Sequence, residues 1–215
     1  MGNPTLILQF TSSFEVGYKT NWLNGNLYAA AYQRITDGTI TRIATQVSGS
    51  VLLYNIFQNI GRSYNTGLEI VWQQQLTKPV SLNASVNIYQ NTINAFSVTN
   101  KYPVPTTYTT DKQQLVSGNM KLNSLAHLSN GFDVQVSAVY LAPDLIPQGR
   151  IEQRFSLDLG IKKNVQKGKG DVFLNATDLL NTMQIRKKIT GNGFVLQSTY
   201  YYETQVVRVG YNRKF

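Results

Sequence analysis

Apolar and polar residues alternate with a period of two along most of this chain, which limits it to pleated strands with one greasy and one wet face. The cleanest runs set Val80, Leu82, Ala84, Val86 and Ile88 against Ser81, Asn83, Ser85 and Asn87, and Phe132, Val134, Val136 and Ala138 against Asp133, Gln135 and Ser137. Similar phases hold for Phe14, Val16, Tyr18 and Trp22, more weakly for Leu27, Ala29 and Ala31, then for Tyr64, Leu68, Ile70 and Trp72. Met120 and Leu122, then Phe155, Leu157, Leu159 and Ile161, then Val172, Leu174 and Ala176 continue it, and Val207, Val209 and Tyr211 close it. The count is about nine strands.

Composition narrows the solvent for those faces. With 42% apolar and 14% charged residues the chain is not a disordered one. Its longest candidate for a membrane helix, LYAAAY at 27–32, falls far short of the 18 or more residues required. There are no cysteines, so neither a disulfide framework nor a thiolate metal site is available. The formal charge of +9 is spread over turns and strand ends, the densest runs being KNVQKGKG and Arg186 to Lys188, and it forms no stripe of the kind nucleic acid requires. No basic and apolar leader opens the sequence, so any export signal is expected upstream.

Alternation alone also suits a soluble β-sandwich, such as a module that binds carbohydrate through its tyrosines. Connection lengths separate the two. Tight turns at 23–26, 77–79, 129–131 and 166–170 alternate with longer connections near 43–53, 97–111, 143–149 and 188–198. Strict short and long alternation is what a transmembrane barrel shows, with tight periplasmic turns and long outer loops. The expectation is therefore an all-β, antiparallel meander whose apolar face meets outer-membrane lipid, with some strands long enough to project beyond the bilayer.

Chemistry-bearing clusters are sparse. His127 is the only histidine, and it falls beside a tight turn, where a polar rim residue is expected. Glu15, Glu69 and Asp158 lie on the polar phase, which suits a paired-carboxylate site or lumen-wall carboxylates, and lumen-wall carboxylates are the expectation. GKG and GNG lack the strand-to-helix setting of a phosphate loop. No catalytic residue, cofactor site or metal site is expected. Tyr102, Tyr108 and Tyr200 fall in or beside the long connections, where they suit either ligand stacking or an aromatic girdle at the membrane interface.

Four segments resemble the TonB-dependent receptor family, in the outer-membrane barrel form common in Bacteroidota. They are GNPTLILQFTSSFEVGY at 2–18, NIGRSYNTGLEI at 59–70, PQGRIEQRFSLDLGIKK at 147–163 and NATDLLNT at 175–182, the last similar to an Asp-Leu-Phe-Asn-Thr signature with Leu180 for phenylalanine. Leu8 and Gln9 stand where the family has proline and glutamate. The resemblance implies that residues 1–215 are the C-terminal portion of a barrel of about 22 strands, whose plug domain and TonB-coupling region lie N-terminal to it. It further implies import of a bulky nutrient powered through TonB, a possible surface lipoprotein partner, and recognition by the barrel-assembly machinery through Arg208, Gly210 and Phe215. Arg213 departs from that terminal signal. A complete small barrel of eight or ten strands, acting as a channel or adhesin, is the other membrane reading.

Overall fold

The computed structural model describes residues 3–47, 49 and 51–213. In chain order its strands are β1 (Phe10–Trp22), β2 (Gly25–Asp37), β3 (Ile40–Gln46), β4 (Leu53–Asn59), β5 (Ser63–Thr77), β6 (Val80–Ile93), β7 (Phe96–Asn100), β8 (Thr106–Thr110) and β9 (Gln113–Leu128). They continue as β10 (Phe132–Leu141), β11 (Asp144–Ile146), β12 (Gly149–Ile151), β13 (Arg154–Val165), β14 (Gly170–Thr177), β15 (Ile185–Gly191), β16 (Phe194–Tyr200) and β17 (Val206–Arg213). Nine of them form one antiparallel sheet in the order β1-β2-β5-β6-β9-β10-β13-β14-β17. Among the described residues no helix is long and apolar enough to cross a membrane.

The nine sheet strands are those expected from the alternation. The long connections differ from open loops, because each carries strands of its own: β3 pairs with β4, β7 with β8, and β11, β12, β15 and β16 make a four-stranded sheet. Short alternating threonine and serine runs explain part of this. Ser97 bonds Thr109 at 2.9 Å and Thr99 bonds Thr107 at 2.8 Å, the cross-strand hydroxyl pairs that hold a narrow hairpin. Such runs carry little apolar signal, so their periodicity is faint in the sequence.

Register turns the alternation into a continuous surface. Leu68 faces Ile88, Ile70 faces Val86, and Val86 faces Met120, while Val136 faces Leu159, Leu159 faces Ala176 and Ala176 faces Val207. All of these project to one side, since partners directly opposite in a ladder share a face. Among the described residues no second sheet covers that side, and Val16 is 80% and Val209 73% accessible. A Val, Leu or Ile side chain left in water forfeits about 1.5–3 kcal/mol. A surface with this many of them belongs in hydrocarbon, and a sandwich, which buries its apolar face against another sheet, is not what these strands build.

The apolar belt has the height of a bilayer. In β6 the outward positions from Val80 to Ile88 are apolar over about nine residues, matching the roughly 9–11 needed for a tilted crossing. Beyond them the outward positions turn polar at Gln90 and Thr92, and β6 runs to 14 residues, so its upper end stands above the membrane. Aromatics mark the lower rim. Trp22 donates its indole N–H to Gln74 at 2.8 Å, and Phe132 lies under the Lys163 ammonium at 4.0 Å, with Lys163 also donating to the Asn130 carbonyl. Tyr140 and Phe155, paired across β10 and β13, occupy the opposite end of the belt.

The four short turns all lie at one end of the sheet and the four elaborated connections at the other. Asn130, with φ 61°, supplies the left-handed residue of the 129–131 turn, a conformation asparagine tolerates better than most residues.

Candidate functional site

The elaborated connections form a packed layer above the sheet. Ile43, fully buried, Ile60, Ile93, Phe96 and Tyr108 make its core, with Val98 and Leu145 against them. These residues come from three separate connections and the tops of the strands beneath, so burial ties the loops to one another. Buried amides complete the joint. Gln148 accepts from the Ala44 N–H at 2.6 Å and donates to the Ala44 carbonyl at 2.9 Å, closing a two-bond clamp on β3. Asn100 donates to the Ile43 carbonyl and Thr45 at 3.1 Å each and accepts from Gln58 at 2.7 Å. At the edge, Arg62 donates to Asp37 at 2.5 Å, and that carboxylate pushes the guanidinium pKa further upward.

Gln148→Ala should therefore loosen the layer while leaving the sheet intact. Two backbone groups of Ala44 lose their partners in a buried place, which costs about 1–3 kcal/mol each if water cannot reach them. Hydrogen exchange at Ala44 is expected to accelerate by tenfold or more, with the β9 and β10 amides unaffected; uniform protection in the variant would contradict the clamp.

The three tyrosines singled out from the sequence have different settings. Tyr108 is 9% exposed and packs against Phe96 with ring centroids 5.9 Å apart, so it is a core residue of the loop layer. Tyr102 is exposed and meets Tyr54 edge-on at 6.0 Å. Tyr200 is exposed at the end of β16, with the Lys187 ammonium 5.6 Å over its ring. Tyr102 and Tyr200 are thus exposed aromatics on the loop layer, and Tyr108 is not.

The other face of the sheet is polar. One row runs Asn26, Gln73, Asn83, Asn123, Ser137 and Asp158 across successive strands, with Asn26 donating to Gln73 at 2.9 Å and Ser137 to Asn123 at 2.7 Å. Glu15 accepts from Tyr28 at 2.7 Å, and Glu69 lies on β5, two strands away. Asp158 is on β13, four strands beyond Glu69, or about 19 Å at ordinary strand spacing. At that separation Asp158 cannot pair with Glu69 or Glu15 as a two-carboxylate site requires. His127 bonds Asp133 at 2.7 Å, and Lys162 reaches the other oxygen of Asp133 at 2.9 Å, a rim network near the short turns. Among the described residues no group of His, Asp and Glu converges to hold a metal ion.

One amphipathic antiparallel sheet, tight turns at one end, a loop layer at the other and a polar inner wall make up the geometry. The profile of the outer membrane protein beta-barrel family matches residues 1–212. The chain belongs to that family. Comparison with curated proteins and with solved structures gives no further match. As an outer-membrane barrel protein, it places the Leu68, Val86, Val136 and Leu159 face against lipid and the asparagine-rich face toward the lumen.

Within this outer-membrane barrel wall, the NATDLLNT segment has a defined task. Asp178 is 1% exposed, and its carboxylate accepts from the Thr182 N–H at 3.0 Å, the Met183 N–H at 3.2 Å and the Thr204 hydroxyl at 2.6 Å. Its own N–H donates to Asp158 at 2.8 Å, and Thr182 donates its hydroxyl to the Phe155 carbonyl at 2.6 Å. The motif pins both ends of the last outer connection to β13. The sequence marked these residues only as a likeness, because the partners of Asp178 lie on both sides of a connection more than twenty residues long.

The last strand also has a definite arrangement. Arg208 faces Asn175 and Gly210 faces Phe173, both pairs on the lumen phase. A Cβ at Gly210 would lie 2.3 Å from the Phe173 ring, so the glycine admits an aromatic that covers the strand backbone. Phe215, the third residue of the expected assembly signal, lies outside the described residues.

Proposed function

We propose that this chain is barrel wall of a TonB-dependent outer-membrane receptor that imports a bulky nutrient. The observation that carries the reading is the strand count. Nine consecutive antiparallel strands leave β1 and β17 running in the same direction, and among the described residues they lie at opposite edges of the sheet without pairing. An antiparallel barrel of bacterial type closes with an even number, so further strands are needed to complete this wall, and open edges invite unwanted pairing. The four motif likenesses support the same reading. On it, strands and a plug contributed by residues N-terminal to these complete the transporter, TonB engages that region, and the barrel-assembly machinery reads Arg208, Gly210 and Phe215. Exposed Tyr102 and Tyr200 are then ligand-facing, and a surface lipoprotein can sit over the loop layer.

Uptake tests this. A strain lacking the gene is expected to lose import of at least one large nutrient, and a protonophore should reproduce the loss in the parent strain. A purified protein that conducts small ions in planar bilayers, with nutrient uptake indifferent to the protonophore, would instead fit a small channel.

A further inference from the structure

The four-stranded sheet of the loop layer contains an unfavourable pairing. Arg150 on β12 stands directly opposite Lys188 on β15. Like charges facing each other across a ladder destabilise it. Neither cation makes an ion pair among the described residues. Glu152 donates its backbone N–H to the Arg186 carbonyl at 2.9 Å, which sets this carboxylate opposite Arg186, one step along the face, and leaves Arg150 and Lys188 without a facing anion.

The backbone is shaped to keep the two cations together. Gly149 has φ 153°, and a Cβ there would lie 2.0 Å from the Lys188 carbonyl oxygen, so only glycine lets β12 approach β15 this closely. Arg150 and Lys188 are both exposed, while Ile146, Ile151, Ile185, Ile189 and Leu196 on the reverse face of the same sheet are half-buried. The two cations line a recess of about 370 Å³ together with Gln114, Leu115, Leu145, Gly149 and Thr190. An arginine fork and a neighbouring ammonium, with an amide and a hydroxyl beside them, supply donors alone or donors in excess.

We propose that Arg150 and Lys188 form an oxyanion-binding site at the outer end of the barrel, taking a phosphate, sulfate or carboxylate group. The bound anion neutralises the cross-strand repulsion, and the planar guanidinium holds two of its oxygens while the ammonium takes a third contact. The site rests on the outer placement of the loop layer and does not depend on import.

Titration calorimetry of the purified protein in detergent micelles, with pyrophosphate as the probe, tests the site. Binding to the wild type is expected, with affinity at least tenfold lower in the Arg150→Gln/Lys188→Gln double variant and unchanged in Lys187→Gln, whose side chain lies on the other face over Tyr200. Both changes are at exposed positions, so folding is preserved, and without anion the double variant should melt at a higher temperature than the wild type. Equal affinity in wild type and double variant, or no binding to the wild type at about 20 mM probe, well above a millimolar Kd, overturns the proposal. Repeating the titration with lipopolysaccharide in the micelles distinguishes the source: competition assigns the site to lipid headgroup phosphate, and an unchanged isotherm assigns it to a soluble anion, each with the Arg150 and Lys188 dependence retained.

Discussion

Leu159→Arg is expected to abolish most barrel assembly, whereas Gln135→Arg is tolerated. Leu159 lies mid-belt, facing Val136 on one side and Ala176 on the other. A cation at the bilayer midplane of a barrel costs about 2–4 kcal/mol, which lowers the folding equilibrium by roughly 30-fold or more. Val134 is one step closer to the lower rim, beside Ile161, so Val134→Arg should cost less than Leu159→Arg. Gln135 faces Gly160 on the lumen side, where water solvates a new charge. Asp158 shares that phase but is a poor control, because it accepts the Asp178 N–H. Heat-modifiable mobility of the outer-membrane fraction reads the result. Similar assembled fractions for Leu159→Arg and Gln135→Arg would mean that neither face meets lipid.

The second large effect is expected at Asp178. Replacing it by alanine strips acceptors from two backbone N–H groups and a hydroxyl in a buried turn. Hydrogen bonds to a charged acceptor are worth about 1.5–3 kcal/mol each, and with partial relaxation toward water the net loss should be about 3 kcal/mol. Asp178→Asn keeps one oxygen and turns an amide N–H₂ toward the remaining donors, so it should recover less than half of that loss. Denaturant midpoints in lipid vesicles measure the stability, and faster hydrogen exchange at Thr182 and Met183 localises it to the motif. If alanine left both the midpoint and those two amides unchanged, the carboxylate would not be what pins the last connection.

The readable part of the site follows from how local its physics is. His127 at the rim could be placed from its distance to the 129–131 turn alone, since a strand's phase and its nearest turn fix height and face. Gln148 and Asn100 gave no such clue. Their partners, Ala44, Ile43 and Thr45, belong to a different connection, and a polar residue in a loop looks solvated until another loop covers it. Tyr108 illustrates the same limit: its run of threonines looks like an exposed connection, yet Phe96 and Ile43 bury the ring. Arg150 and Lys188 are 38 positions apart and meet only through the β12 and β15 register.

Period-two hydropathy with tight turns at every second connection was enough by itself to determine nine strands, their antiparallel order and which side chains meet lipid, because each strand's face is set by its own residues and each turn joins immediate neighbours. The loop layer was decided only by tertiary structure. Its hairpins are too short and too polar to declare a face, and what orients them is burial of side chains contributed from distant connections, a free energy that exists only once those connections are brought together above the sheet.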